Sequence, residues 1–457
     1  MLVRGIRGLC KDHPLVAEAL EIVKEGLFEA DPYLAVKKRI RVHNKTVYID
    51  SYSFTPEKIH VIGFGKASYR MLKGVVDVLG DKLHGGVVIH NGEPARTGKV
   101  EVLRGDHPIP GNNTLSASRA LLSYIESNVS ENDLTIVLIS GGGSAMFEVP
   151  EEGVTLESLS EVTRLLLGSG SDIYEINTVR KALSKVKGGK LLRYLRGNIV
   201  SLIISDVVGD DPSVIASGPT VPEEKGIACR AIGVLKRRRI WDEAPSDVRN
   251  YLTKSCDEAR FEFVHGNEVI KKIVNIVIAS NYGSLRRMKD KAGSLRYNPI
   301  ILTPYMAGEA REVAKMLAAL IKSSVQLEEP FQPPLALIAG GETTVTVRGK
   351  GIGGRNQELC LALLHELRNL RGKYVAVCIG SDGIDGNSPA AGSIITNDLY
   401  AYAVSQGLDP EEYLENNDSY TLFEKLGCAI ITGPTGTNVN DFFVFLYKEK
   451  QRYNEMK

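Results

Sequence analysis

Apolar positions along the chain fall into two rhythms. Short unbroken apolar runs occur at 59–63, 86–89, 100–103, 134–139 and 199–204. Runs such as LTIVLIS and IVSLIIS show no polar alternation, which is the pattern of parallel strands buried on both faces. Between them, apolar residues recur at helical spacing over 67–79, 116–126 and 177–195. Residues 1–45 also carry that spacing, through Leu15, Leu20, Ile22, Val23 and Leu27. Strands alternating with helices predict an α/β fold, a parallel sheet with helices on both faces.

The second half reads differently. Strand candidates at 274–279, 300–303, 335–339, 343–347, 374–379, 428–432 and 442–446 are joined by short turns as well as helices. That predicts a smaller mixed-sheet α/β domain. The stretch 219–245 holds Pro219, Pro222 and Pro245 and a basic run at 236–239, and reads as the connection between halves. The expected division is 1–240 and 241–457.

Composition narrows the class. The 457 residues predict two or three domains. Lys plus Arg (56) balances Asp plus Glu (55), which argues against nucleic acid or an anionic membrane as partner. Arg4, Arg7, Lys11 and Asp12 interrupt any N-terminal apolar region, and no run approaches a membrane span. The six cysteines lie far apart and read as buried thiols of a cytoplasmic protein, without disulfides or zinc. Five Gln and one Trp among many charges point to a thermophilic source. A homodimer is compatible with the sequence, which marks no exposed apolar patch.

Glycine-rich stretches at strand ends carry the chemistry, because open α/β sheets bind ligands beyond the carboxyl ends of their strands. Gly65, Lys66 and Ser68 follow the run at 59–63, with Lys66 the charge beside a phosphate cradle. Ser140, Gly141, Gly142, Gly143 and Ser144 follow 134–139, and three successive glycines let backbone N–H groups wrap an anion. His107 sits in a rigid two-proline loop as a ligand contact. Asp206, Asp210 and Asp211 follow 199–204; Asp206 is the preferred acceptor base or a metal ligand, and Asp210 a metal ligand. Glu342, Arg355 and Asn356 belong to a fifth glycine-rich region, where Arg355 suits a phosphate or carboxylate. Asp382 and Asp385 lie in a sixth, Asp382 as a substrate contact and Asp385 as a metal ligand. A seventh runs over 432–441. The seven basic residues between 180 and 196 read mostly as a solvated helix face, with one or two left to meet a ligand.

The segments GFGKAS, GDHPIPG, SGGGSAM, NTVRKALSKVKGGK, SDVVGDDPSVIASGPT, GGETTVTVRGKGIGGRNQE, GSDGIDG and TGPTGTNVND resemble the glycerate kinase family with a C-terminal MOFRL domain. The resemblance runs in order from about residue 59 to the C-terminus. It implies a large Rossmann-like three-layer domain, a smaller MOFRL-type α/β domain and an active site in the interdomain cleft. It implies phosphorylation of D-glycerate to 2-phosphoglycerate by ATP with Mg²⁺ or another divalent metal. Lys66 and Arg355 match the family's catalytic lysine and arginine. The chain departs from the family pattern at Asp385-Gly386-Asn387-Ser388, where an acidic residue is missing before Ala391-Gly392. Some members carry the label hydroxypyruvate reductase, so an NAD(P)H-dependent reductase is the second reading. Gly349, Gly351 and Gly354 do spell G-x-G-x-x-G, but after an alternating TVTV stretch and too far from Asp382. A non-catalytic sensor of sugar acids is the third.

Overall fold

The computed structural model describes residues 4–223, 225–258 and 270–448. Pro32–Ile278 form one compact unit. It opens with the helix Pro32–Arg39 and an antiparallel ribbon of β1 (Ile40–His43), β2 (Thr46–Ile49) and β3 (Tyr52–Phe54). The main sheet follows: β4 (Ile59–Phe64), β5 (Leu83–His90), β6 (Ala95–Thr97), β7 (Val100–Arg104), β8 (Leu134–Ile139), β9 (Gly197–Ile204) and β10 (Ile270–Ala279). Its order is β10-β9-β8-β4-β5-β7-β6. β4 pairs in parallel with both β5 and β8; β7 extends β5 and β9 extends β8 in the same sense. The chain therefore winds from β4 to one side, then returns to wind from β8 to the other. The order reverses between β4 and β8, the point at which such sheets open a crevice for ligands. Every residue of β4 and β8 is buried, as their unbroken apolar runs require.

Met1–Asp31 and Ala279–Lys457 form the second unit. Its sheet holds β11 (Asn298–Glu309), β12 (Leu335–Thr344), β13 (Lys373–Gly380), β14 (Gly392–Thr396), β15 (Ala429–Ile430) and β16 (Asp441–Lys448), in the order β11-β12-β16-β13-β14-β15. β11 and β12 are parallel and the other pairs antiparallel, so the sheet is mixed as predicted. Because β16 runs against β12 and β13, its first residue, Asp441, lies opposite Gly341 and Gly380 at their carboxyl ends.

Several expectations are corrected. The division falls between Ile278 and Ala279, not at 240/241, and the first 31 residues join the C-terminal unit. The helix Val16–Glu29 packs on β13 and β16, a partner that local sequence does not reveal. The stretch 219–245 is no linker. Its helix Ile227–Arg237 packs with helices Leu156–Gly168, Ile173–Leu183 and Ser246–Glu258 around Leu159, Val179, Val234 and Leu252. Two of its basic residues, Arg237 and Arg238, pair with Glu175. The run at 274–279 belongs to the first sheet, as β10. The runs at 335–339 and 343–347 merge into β12, which passes straight through Gly340 and Gly341 and stops at Thr344. The helical pattern at 177–195 stops at Leu183, and a short 3₁₀ turn, Lys190–Arg193, completes it. Four of the six cysteines are not thiols: Cys10–Cys428 and Cys229–Cys256 are disulfides, while Cys360 and Cys378 are buried and free. A sequence separation of 418 hides the first pairing, since only folding brings its Cα atoms to 5.6 Å.

Candidate functional site

The glycine loops at the carboxyl ends of β4 and β8 are built as one structure. Lys66 N–H donates to the Gly141 carbonyl (2.9 Å), and Ala67 N–H donates to Ser140 Oγ (3.0 Å). Gly65 has φ +119°, and a Cβ there would lie 2.4 Å from the Ser140 carbonyl oxygen, so only glycine fits. Among the described residues, the N–H groups of Gly141 and Gly142 have no hydrogen-bond acceptor. Lys66 is exposed, and its ammonium has no ion-pair partner among the described residues. Two free amides beside a free cation make an anion cradle.

Other strand ends close around it. Asp206, just past β9, approaches so near that a Cβ on Gly141 would lie 2.1 Å from its Oδ2. The His107 ring sits over Gly142, with Cδ2 at 2.9 Å from where a Cβ would stand. Partial burial, and then the positive charge of Lys66, push the His107 imidazole below its ordinary pKa. Ser144 Oγ meets Ser217 Oγ at 2.9 Å, and Ser217 Oγ donates to Asn177 Oδ1 at 2.8 Å. Ala216 and Ser217 both hold left-handed backbone (φ +50° and +62°). Each costs of order 1 kcal/mol or more for a residue with a Cβ, a strain that is concentrated at functional sites.

The C-terminal unit gathers a second group at the carboxyl ends of β12 and β13. Arg355, the first residue of the helix Arg355–Glu366, binds Asp441 through Nε (2.6 Å) and Nη2 (3.1 Å). Its Nη1 donates to Glu342 Oε1 at 2.6 Å. Among the described residues three of its five N–H donors are thus engaged and two remain. Burial pushes the Asp441 carboxyl up to about 6, against the opposing pull of the Arg355 hydrogen bonds. Asp382 Oδ1 accepts from Ile384 N–H (3.0 Å) at the end of β13.

Some predicted roles change. Asp385 is not arranged as a metal ligand. Its two oxygens accept from the Asn356 and Gln357 backbone N–H groups (3.0 and 2.9 Å) and from both side-chain amides. It is the buried cap of the Arg355–Glu366 helix, and Asn356 is largely spent on it. Ser68 is fully buried, with its hydroxyl donating towards the Gly65 and Ile89 carbonyls (2.7 and 2.9 Å). Asp210 stands partly buried in the loop after β9 at φ +57°, and among the described residues no three His, Cys, Asp or Glu side chains gather for a metal. The glycines at 349–354 serve another purpose than pyrophosphate binding. Gly349 N–H donates to Asn417 Oδ1 (2.9 Å) and Gly351 N–H to the Asn416 carbonyl (3.0 Å), so this loop is packed against its own chain.

The basic stretch is a solvated face only in part, at Arg193 and Arg196. Lys187 is fully buried, donating to Glu148 Oε2 (2.5 Å) and the Phe147 carbonyl (2.9 Å). Lys181 pairs with Glu223 (2.6 Å) and Lys190 with Glu151 (2.7 Å). Sequence reasoning missed Asp441, Asn177 and Ser217. Asp441 carried a usable signal, an acid directly before the apolar run of β16.

The family model described as a domain of unknown function, DUF4147, matches residues 18–253, and the MOFRL family model matches residues 335–441. A glycerate 2-kinase from Pyrococcus horikoshii is 38% identical over 94% of this chain and 97% of its own. A D-glycerate 2-kinase from Thermotoga maritima is 38% identical over the same shares. A protein of Agrobacterium vitis named putative hydroxypyruvate reductase is 36% identical over 84% of this chain and 86% of its own. The crystal structure of a glycerate kinase from Thermotoga maritima superposes with a TM-score of 0.82 at 35% identity, covering 94% of this chain and 99% of that one.

Proposed function

The chain belongs to the glycerate kinase family that joins a DUF4147 domain to a MOFRL domain, and on that premise we propose that it transfers the γ-phosphoryl group of ATP to D-glycerate, giving 2-phosphoglycerate and ADP. The carrying observation is the cradle at the β4–β8 reversal: N–H groups on Gly141 and Gly142 and the ammonium of Lys66, side by side and without partners among the described residues. Phosphoryl transfer asks a protein mainly for positioning and for charge opposite the phosphoryl oxygens. Lys66 and the cradle amides supply that charge, and Arg355, with two donors unengaged among the described residues, is a second anion-binding residue. Asp206 is the acceptor base, placed against the cradle. His107, held towards its neutral form beside Lys66, contacts substrate without adding a third charge. A divalent metal held by ATP and Asp206 would neutralise phosphate charge when bound. The reductase reading loses its main support, because the glycines at 349–354 are occupied by the turn at 416–417.

The test incubates the protein with ATP, Mg²⁺ and D-glycerate and couples the product to enolase without phosphoglycerate mutase. Immediate phosphoenolpyruvate is the expected result. ADP without an enolase substrate overturns the C2 assignment, and no ADP overturns the kinase reading. Oxidation of NADH by hydroxypyruvate would revive the reductase.

A further inference from the structure

The helix Ile173–Leu183 lies against the turn Ile215–Ser217, which in turn packs on Gly143–Met146 of the cradle loop. Asn177, on its inner face, accepts from Ser217, which meets Ser144 of the cradle loop. Arg180 is three residues further on, hence on the same face and one turn along. There it reaches the electrostatic neighbourhood of Glu148 and of Lys187.

This neighbourhood has one cation too many. Glu148 is taken by Lys187, and Glu151 by Lys190, so three cations meet two carboxylates. Arg180 is the one left over. It is partly buried, and among the described residues its guanidinium has no hydrogen-bond or ion-pair partner. Glu148 Oε1 is buried and also lacks a hydrogen bond, so Arg180 has not turned to it although its charge is felt there. A desolvated guanidinium with its planar fork unspent is costly to keep unless an anion completes it. Lys181, Lys187 and Lys190 are each satisfied by a glutamate and Arg193 and Arg196 are exposed to water, so among the described residues Arg180 and Lys185 are the partly buried cations of the stretch without an ion pair, and Arg180 is the one beside Asn177.

The geometry points to Arg180 as an anion-binding residue of the cradle, taking a carboxylate or phosphate oxygen of a substrate on the Ser144 side. This rests on the kinase reading for the identity of the substrates, which offer both chemistries: the acceptor's carboxylate and the nucleotide's phosphates. Arg180 adds a forked donor pair to the single-point charge of Lys66, so it fixes orientation as well as charge.

The experiment measures equilibrium binding of D-glycerate, and separately of ATP with Mg²⁺, to the wild type and to the Arg180→Gln and Arg180→Lys variants, with melting curves for each. Loss of a charge-assisted hydrogen-bond pair weakens the anion it holds by about ten- to a hundredfold. Weakened D-glycerate binding with ATP unchanged assigns the carboxylate; the converse assigns the phosphates. Arg180→Lys is expected to recover part of the affinity, and added guanidinium ion to restore part of the loss in Arg180→Gln. Unchanged affinities for both ligands in a folded Arg180→Gln protein overturn the proposal. So does an equal loss for both ligands that tracks a lowered melting temperature and is not relieved by guanidinium. Because the readout is binding, a wild type that binds ligands without turnover would overturn the kinase reading and leave the Arg180 assignment standing on its own result.

Discussion

The two candidate cations are prepared in opposite ways. Lys66 sits on a loop of free amides with no carboxylate bound to it among the described residues, and its charge is left to the ligand. Arg355 is locked by a bidentate contact to buried Asp441 and a third contact to Glu342, so its position is set before any ligand arrives. The difference follows from the side chains. A flexible ammonium is a point charge that can follow a moving phosphoryl group, while a guanidinium has donors to spare and can be anchored by some and act through others. The cost of the lock is partial neutralisation of Arg355; its benefit is orientation.

The largest effect that would test this contrast is at Lys66. Lys66→Ala removes charge that nothing else on the loop supplies, and kcat for glycerate phosphorylation is expected to fall by about 10³-fold. A variant near wild-type rate would show that the free cation is a bystander. Next is the lock. Asp441→Asn keeps the shape but loses the charge of the clamp, with an expected tenfold to hundredfold loss in kcat from a displaced Arg355. The pH profile separates this from a simple packing defect. Asp441 titrates at about 6, so wild-type activity is expected to fall as pH drops through that value and the carboxylate is protonated. That limb should be missing in Asp441→Asn; if it persists unchanged, the clamp is not its origin.

Smaller effects separate the two units by stability. The Cys10–Cys428 bridge closes a far longer stretch than Cys229–Cys256. Replacing the first pair by serine is expected to cost about 6 kcal/mol and the second about 3.5 kcal/mol on the chain-entropy relation, seen as unequal drops in calorimetric melting temperature. Equal drops would mean that chain entropy is not what these bridges restrain. The least effect is expected at His60, a buried histidine of the N-terminal unit. His60 hydrogen-bonds Tyr124 and Asp133, and burial lowers its pKa against the pull of Asp133. The unfolded chain binds a proton near the ordinary 6.5 and the folded one only at lower pH. Its contribution is therefore intact above 6.5 and lost progressively as pH falls below it. His60→Gln should flatten the slope of melting temperature between pH 7 and 5; an unchanged slope would assign it to other groups.

Much of this was legible one segment at a time. β8 stands where its apolar run stands, because a strand buried on both faces has no polar position to blur its ends. Lys66, the glycines of the cradle and Arg355 were visible because small and charged residues directly after a buried run have few structural uses. The same reasoning misassigned Asp385 and Ser68, whose residue types fit a ligand equally well. Both spend their polar atoms on backbone groups that only the fold brings near.

By itself the sequence determined the alternation of strands and helices, the mixed character of the second sheet and the loops in which the chemistry lies. All of these are written in runs of neighbouring residues, where periodicity and turn chemistry act locally. The tertiary structure decided what joins distant positions. It placed β10 in the first sheet, returned the Val16–Glu29 helix to β13 and β16, and tied Cys10 to Cys428. It also chose a glutamate for each buried lysine and left Arg180 without one. Those outcomes depend on which groups lose water together, and that is settled only when segments far apart in the chain come into contact.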